Sequence, residues 1–403
     1  MNFDLDDEQI QVRDMVREWA TREVAPYIRE WDAEGKVDRV IIDKLGESGV
    51  LGLPIPEAYG GLGLDYISLA LACDELEYVD TSLRVIMSVH AGLNSLALLQ
   101  WGTEEQKQRW LVPQAEGTRI ATFGLTEAAA GTDAGAIEST AKRDGDSYVL
   151  NGSKMWISLG DIADHFLIFA SVDRSLKHNG LTAFVLERGM PGFTTGTIKG
   201  KLGIRAGNTG ELAFDNVRVP IENRIGEEGE GFKIAMSCID QGRLTVAAGA
   251  VGLTRAALDA SVSYAKQRQT FGQPIGRHQL VQQMIARMVD GLETSRLLVY
   301  RAAELKNQGI RNTRETSLAK WHACDVALQS ADDAVQIHGS YGFSNEYPVE
   351  RYLRNARGAV IYEGTRELHQ IIQAEYALGY RQDKPLRMPQ QPVTPLELTK
   401  VGV

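Results

Sequence analysis

The feature that most constrains this fold is a change of texture, made twice along the chain. Residues 5 to about 118 read as helical. Val12, Met15, Val16 and Trp19 fall at i, i+3, i+4 and i+7, one face of an amphipathic helix. The stretches ISLALACDELEYV and SVHAGLNSLALLQWG continue that character. The glycines of YGGLGLDY (Tyr59 to Tyr66) predict a loop ahead of them, and Thr103 before Glu104 and Glu105 predicts a helix start. From about 119 to 231 the texture is that of strands. HFLIFASV and LTAFVLERG read as buried strands. ELAFDNVRVP alternates with a break before Val217, which predicts a bulge. Asn151-Gly152 after Tyr148-Val149-Leu150 predicts a hairpin turn. From about 232 to 380 helical pattern returns. Segregated runs of this kind define an α+β chain and not alternating βαβ units. The divisions expected are 1–118, 119–231, 232–381 and a proline-bearing, surface-draped tail at 382–403.

Composition removes several function classes. Across 403 residues, 43 Lys+Arg stand against 53 Asp+Glu, a net charge of −10. An acidic surface repels phosphate backbones, so nucleic acid is not an expected partner. A hydrophobic fraction of 43% suffices for a sizeable core. No unbroken apolar run reaches about 18 residues, so no membrane span is expected. The start MNFDLDDEQI is acidic and lacks a signal-peptide core. Cys73, Cys238 and Cys324 lie too far apart for a metal-ligand spacing, and their odd number gives no disulfide framework. The expectation is a cytoplasmic protein with reduced thiols and no metal. Neither G-x-G-x-x-G after a strand nor a P-loop occurs, and the histidines form no H-x-x-x-H pair.

Three segments carry chemistry. GLTEAAAGTDAGA (Gly124 to Ala136) joins the first helical region to the strands and offers the Thr126 and Thr132 hydroxyls among glycine amides, which suit a polar ligand. QIHGSYGFSNEYPVERYLRN (Gln336 to Asn355) has glycines that allow close backbone approach. IYEGT (Ile361 to Thr365) sets one glutamate among apolar neighbours, where desolvation would raise its pKa into the range of a general base. By composition alone, the first two are ordinary loops and the third is a solvated glutamate near a helix end.

Together they resemble the acyl-CoA dehydrogenase family, and the resemblance runs to about Tyr380. Gly124-Leu125-Thr126-Glu127 with Gly131-Thr132-Asp133 resembles the first family signature. Gln336-x-x-Gly339-Ser340-x-Gly342-Phe343 with Glu346, Arg351 and Asn355 resembles the second. Tyr362-Glu363-Gly364-Thr365 resembles the catalytic segment. Trp156-Ile157-Ser158, Leu202-Gly203-Ile204-Arg205 and Arg268-x-Thr270-Phe271-Gly272 follow the family order too. The resemblance implies an N-terminal helical domain, a central β-barrel domain and a C-terminal four-helix bundle. It also implies FAD, an acyl-CoA substrate, an electron-transfer flavoprotein as acceptor and a homotetramer. No side chain accepts a hydride, so that step falls to the cofactor. The implied reaction is α-proton abstraction by Glu363, with the β-hydride passing to flavin N5, giving a trans-2-enoyl-CoA.

The resemblance implies roles residue by residue. Thr126 and Ser158 match residues that hydrogen-bond the flavin ring; Trp156 packs beside it, and Phe123 and Leu125 line the same strand. Thr132 stands where relatives usually carry serine near the cofactor and the CoA chain. Arg268, Phe271 and Gln279 resemble residues reaching the FAD of a neighbouring subunit. Gln336, Gly339 and Ser340 resemble its adenine-end contacts, Ser340 replacing a common glycine. Thr365 and Glu367 fall near the pyrophosphate. Asp240, Arg243 and Gly364 fall beside the substrate. Some relatives place the base on an earlier helix, but the matching residue here is Gly242, which leaves Glu363 as the base.

The resemblance points first to a short- or medium-chain acyl-CoA. Arg84, in LRVIMSVHAGL, matches an arginine that holds the distal carboxylate in glutaryl-CoA dehydrogenases. It keeps open a dicarboxylyl-CoA substrate, although Val85 stands where those enzymes carry a hydroxyl. His90 and Asn94 fall on the same helix. A non-catalytic acyl-CoA- or flavin-binding protein is the alternative of another class.

Overall fold

The computed structural model describes residues 4–383, and most of the expected 382–403 tail lies outside them. Helices come first: α1 (Asp7–Glu23), α2 (Ile28–Glu34), α3 (Arg39–Glu47), α4 (Tyr66–Val79), α5 (Thr81–Met87), α6 (Leu96–Trp101), α7 (Glu104–Gln106) and α8 (Val112–Ala115). Asp6 starts α1 with a capping box shared with Gln9. Val12, Val16 and Trp19 face the core as their spacing requires, whereas Met15 sits at the rim, 37% exposed. YGGLGLDY is the loop between a short 3-10 turn and Asp65, the N-cap of α4. Thr103 caps α7 in a second capping box with Gln106.

Between α5 and α6 the chain winds as a π-helix over Ser88–Ser95, so the run from Thr81 to Trp101 is continuous. Among the described residues, this helix has the length and apolar content that crossing a membrane would need, yet 94% of its most apolar 18-residue window is buried inside the protein. Its polar residues Arg84, His90 and Asn94 interrupt the apolar run in sequence, and each is buried on a partner within the chain. It is the core helix of the N-terminal part.

The strands are β1 (Ala121–Gly124), β2 (Thr140–Asp144), β3 (Ser147–Ser158), β4 (His165–Ser171), β5 (Leu181–Glu187), β6 (Phe193–Thr197), β7 (Thr209–Pro220) and β8 (Arg224–Ile225). They form one sheet in the order β6-β7-β3-β2-β4-β5-β8, with β1 parallel to β4. Among the described residues the end strands of this order, β6 and β8, are not paired with each other.

Asn151-Gly152 is not a hairpin turn. The β2–β3 turn falls at Asp144 to Ser147, and Asn151-Gly152 lies inside β3 at a register shift opposite Asp215 and Asn216. Gly152 has φ +136° and a Cβ there would meet Ser139 at 2.5 Å, so glycine serves a close crossing. The break expected in ELAFDNVRVP is real: Asn216 has φ +51°, and its N–H donates to the Asn151 side chain. A second shift follows between Lys154 and Ile157.

Short two-residue strands β9 (Gln269–Thr270) and β10 (Gln273–Pro274) make a hairpin among the last helices. Those helices are α9 (Gly231–Gln267), α10 (Gln279–Asn307), α11 (Thr313–His338), α12 (Val349–Ala359) and α13 (Arg366–Ala377). α9, α10 and α11 pack on one another and α13 lies on α11. α9 also packs against α4, α5 and the π-helix, so the N-terminal helices and the bundle share one core.

Candidate active site

Glu363 occupies the turn between α12 and α13. The end of α12 is closed by the Ile361 and Tyr362 N–H groups donating to the Gly358 carbonyl. Thr365 then opens α13, its hydroxyl accepting from Leu368 N–H. Between these fixed ends Glu363 is left-handed at φ +54° and Gly364 follows at φ +99°. A non-glycine residue in that region carries strain of order 1 kcal/mol or more, which the surrounding packing must hold.

The carboxylate points at α9. Its Oε2 is shielded from solvent and has no hydrogen-bond partner among the described residues. A Cβ built on Gly242 would lie 2.2 Å from that oxygen and 2.7 Å from Leu93 Cδ2. Glycine at 242 therefore leaves the space the base occupies. Burial pushes the Glu363 pKa up to about 7, and the positive charges of Arg84, Lys320 and Arg243 restrain the rise.

Three cations hold the turn. Arg84 Nη2 donates to the Tyr362 hydroxyl at 2.6 Å. Arg243 Nε donates to the Glu363 carbonyl at 3.2 Å, while its Nη1 pairs with Asp240 at 2.9 Å. Asp240 is anchored in turn by the Thr313 hydroxyl at 2.8 Å. Lys320 Nζ donates to the Gly364 carbonyl at 2.7 Å. His369, bonded to the Ser317 hydroxyl at 2.8 Å, is kept neutral by burial and by Lys320 and Arg243, its pKa lowered to about 3.

Arg84 has its charge matched within the chain. It is 2% exposed, its Nε lies 2.5 Å from Glu77 Oε2, and Nη1 reaches Ser88 at 3.2 Å. Gly249 makes room for this pair, since a Cβ there would lie 2.0 Å from Glu77 Oε2. Within the chain, the carboxylate that Arg84 holds is Glu77. His90 also works internally: its Nδ1 accepts from Ala121 N–H at 3.0 Å and its Nε2 faces the Gln114 carbonyl at 3.0 Å, tying the π-helix to β1. Asn94 does the same by donating to the Thr122 carbonyl at 2.7 Å.

The first signature wraps the end of β1. Phe123 is half-buried against Phe169, and Leu125 is buried, so only its backbone is presented. The Thr126 carbonyl accepts from Met155 N–H at 2.9 Å, fixing the signature to β3. The Ser158 carbonyl accepts from the Thr122 hydroxyl at 2.6 Å. Glu127 is bound by Lys154 at 2.7 Å and by the Ser139 hydroxyl at 2.6 Å, a buried structural pair beneath the loop. Trp156 has φ +62° and its indole is 59% exposed. Thr132 is exposed. Ile204, in the Leu202-to-Arg205 motif, donates to the Asn355 side chain at 2.6 Å, docking that turn on α12.

The remaining positions gather at the far end of the bundle. Arg268, Phe271 and Gln279 are exposed, Phe271 at 96% on the β9–β10 hairpin. Gln336, Gly339 and Ser340 are exposed at the end of α11. Tyr264 stacks on His338 at 4.2 Å and joins these two groups. Lys320 and His338 are 18 residues apart on α11, about 27 Å at the helical rise, so the structure separates this end from Glu363. Thr365 is occupied as a helix cap and Glu367 is exposed. Lys320 and Glu77 were not singled out in sequence as parts of this site. Lys320 is one lysine in a helical run, and no short-range pattern marks it.

Three family models match in succession: the acyl-CoA dehydrogenase N-terminal domain over 6–118, the middle domain over 122–217 and the C-terminal domain over 229–378. The chain belongs to the acyl-CoA dehydrogenase family. It is thereby an FAD-dependent oxidoreductase acting on acyl-CoA thioesters. A short-chain-specific acyl-CoA dehydrogenase of Clostridium acetobutylicum is 44% identical over 372 residues, 92% of this chain and 98% of that protein. The structure of butyryl-CoA dehydrogenase from Megasphaera elsdenii matches with a TM-score of 0.92 at 42% identity, covering 94% of this chain and all of that one. A chain in a structure described for the electron transferring flavoprotein of Acidaminococcus fermentans matches with a TM-score of 0.92 at 46% identity, with coverage of 94% and 100%.

The residues present fit the cofactor. The strand end at 123–126 offers polar backbone beside the outward-turned indole of Trp156, a flat apolar surface for a planar ring, and Glu363 Oε2 is left without a hydrogen-bond partner among the described residues.

Proposed function

We propose that this chain dehydrogenates a short- or medium-chain acyl-CoA between its α- and β-carbons, with Glu363 as the base. The observation that carries the reading is the shielded, unpartnered Glu363 Oε2 aimed into the gap at Gly242. With a pKa near 7 the carboxylate is ionised in a substantial fraction at neutral pH and holds the abstracted proton well. FAD, when bound, supplies the acceptor for the hydride that leaves the β-carbon. Thr126, Trp156 and Ser158 would hold its ring, with Phe123 and Leu125 lining the strand and Thr132 toward the CoA chain. Asp240 and Arg243 would border the thioester arm beside Gly364. The names of the relatives favour the short-chain end of the range.

Arg268, Phe271, Gln279, Gln336, Gly339 and Ser340 would complete a site in a second copy, with Thr365 and Glu367 near the pyrophosphate. Exposed Phe271 and Phe343, the latter 88% exposed, support a homotetramer in which such faces are covered. An electron-transfer flavoprotein is the proposed acceptor, on the similarity to the Acidaminococcus chain, and the cytoplasm the proposed location. The dicarboxylyl alternative is disfavoured, because the Arg84 charge already faces Glu77. The test is an anaerobic spectrum of the holoenzyme with butyryl-, octanoyl- and glutaryl-CoA in turn. Loss of the flavin band at about 450 nm with butyryl- or octanoyl-CoA supports the reading. Bleaching by glutaryl-CoA alone would replace it with the dicarboxylyl reading, and no bleaching by any of the three would favour a binding role.

A further inference from the structure

The turn at 362–364 is held at three consecutive residues by three cations from three helices. Arg84 of α5 binds the Tyr362 hydroxyl, Arg243 of α9 the Glu363 carbonyl, and Lys320 of α11 the Gly364 carbonyl. The same three are the charges that favour the Glu363 carboxylate. They differ in one respect. Arg84 is paired with Glu77 and Arg243 with Asp240. Lys320 is 0% exposed, and among the described residues no carboxylate lies within salt-bridge reach of it. Its nearest acidic neighbours on α11 and the turn are Asp325, which is engaged by Arg366, and Glu363 itself. A buried ammonium with a carbonyl as its one partner is costly to keep unless its position is used.

We propose that Lys320 is a positioning residue for Glu363: its ammonium fixes the Gly364 carbonyl, and so the left-handed turn that aims the carboxylate at the Gly242 gap, and it brings the one cation of the three that no carboxylate of its own neutralises. The proposal rests on Glu363 being the base. The charges that act on the carboxylate are those of Arg84 of α5, Lys320 of α11 and Arg243 of α9; the titratable groups around the carboxylate and these three cations are Glu77 and Cys73 of α4, Asp240 of α9, Cys324 of α11, His369 of α13 and Tyr362 of the turn itself. The two thiols stay protonated and His369 neutral; burial lowers the Lys320 pKa and the nearby Glu363 and Asp325 oppose that fall, so the change on removing Lys320 is the loss of its ammonium.

The experiment uses holoenzyme variants Lys320→Met, Lys320→Arg and Glu363→Gln, with kcat, KM, Tm and the pH profile of kcat/KM recorded for each. In Lys320→Met the acid limb of kcat/KM moves to higher pH by about one unit and kcat falls about tenfold or more, with KM within about threefold. In Lys320→Arg the limb stays in place, because the charge is kept, and kcat falls several-fold because the larger head displaces the Gly364 carbonyl. A folded Lys320→Met enzyme with the wild-type limb and kcat overturns the proposal. If that variant cannot be recovered folded, Lys320→Arg decides: lowered kcat at unchanged KM and Tm upholds it, and wild-type kcat, or kcat falling only in step with Tm, overturns it. Full activity in Glu363→Gln would instead remove the base on which it rests, so the two failures are distinct.

Discussion

Gly242 and the Glu363 carboxylate share one space: a methyl group on the glycine would stand 2.2 Å from Oε2. The Glu363 carboxylate is therefore admitted by the absence of a side chain on α9. Gly242→Ala should lower kcat/KM by about 10- to 100-fold and cost about 1–3 kcal/mol of stability, since the turn cannot yield without losing its carbonyl contacts. Steady-state kinetics beside a denaturant melt checks both; an unchanged kcat/KM would show that the carboxylate has room elsewhere.

Glu363→Gln should lower turnover by at least about 100-fold. It should also stabilise the chain at high pH. The folded pKa of about 7 lies above the ordinary 4.5, so the folded state binds the proton more tightly than the unfolded state. Folding is therefore penalised as pH rises from 4.5 to 7, and the penalty is complete above 7. The variant should exceed the wild type by on the order of 2 kcal/mol at pH 8, with the gap closing toward pH 5. Thermal melts of the apoprotein across that range measure it.

For the wild-type holoenzyme, kcat/KM should rise with pH and level off above about pH 7, as Glu363 loses its proton. His369, with a pKa lowered to about 3, contributes no limb between pH 5 and 8. A second inflection in that window, absent from His369→Gln, would contradict this.

The Arg84–Glu77 pair should behave as a unit. Either Arg84→Met or Glu77→Gln leaves a buried charge alone and should cost about 3–5 kcal/mol, while the double variant should cost less than the sum. A double-mutant cycle read by urea melts tests this. Additive costs would mean that the two residues act independently.

Trp156→Ala should barely change apoprotein stability, because the indole is largely outside the core, yet should lower the flavin retained per chain on gel filtration. Equal flavin content in the variant and the wild type would take Trp156 out of the cofactor site.

The elements and most of the site's signatures were legible in sequence because they rest on local pattern. The helix start at Thr103 follows from a side chain capping the backbone N–H three residues on. Asn151-Gly152 misled because the same two residues that favour a tight turn also favour a bulge; what decides is the partner strand, where Asn216 supplies the matching extra residue. The Glu363 environment was legible only in part. Its pKa and aim depend on Arg84, Gly242 and Lys320, which come from three other helices, and on a Tyr362–Arg84 contact across 278 residues. The Glu77 partner of Arg84 was not read from sequence, because it lies seven positions back on a different helix.

The two register shifts along β3 and β7 run in opposite senses. The first gives β7 an extra residue and the second gives β3 one, so Ser158 and Thr209 meet in the same frame as Leu150 and Val217. They act as compensating frameshifts written in backbone. Deleting Asn216 alone would leave the far half of β3 out of step with its partner and turn Ser158 to the wrong side of the sheet. Removing one residue from each strand would restore the frame and cost only the step that pushes Trp156 outward. Such paired deletions, one damaging and its partner suppressing, would separate what the sheet needs to fold from what it needs to present an aromatic face.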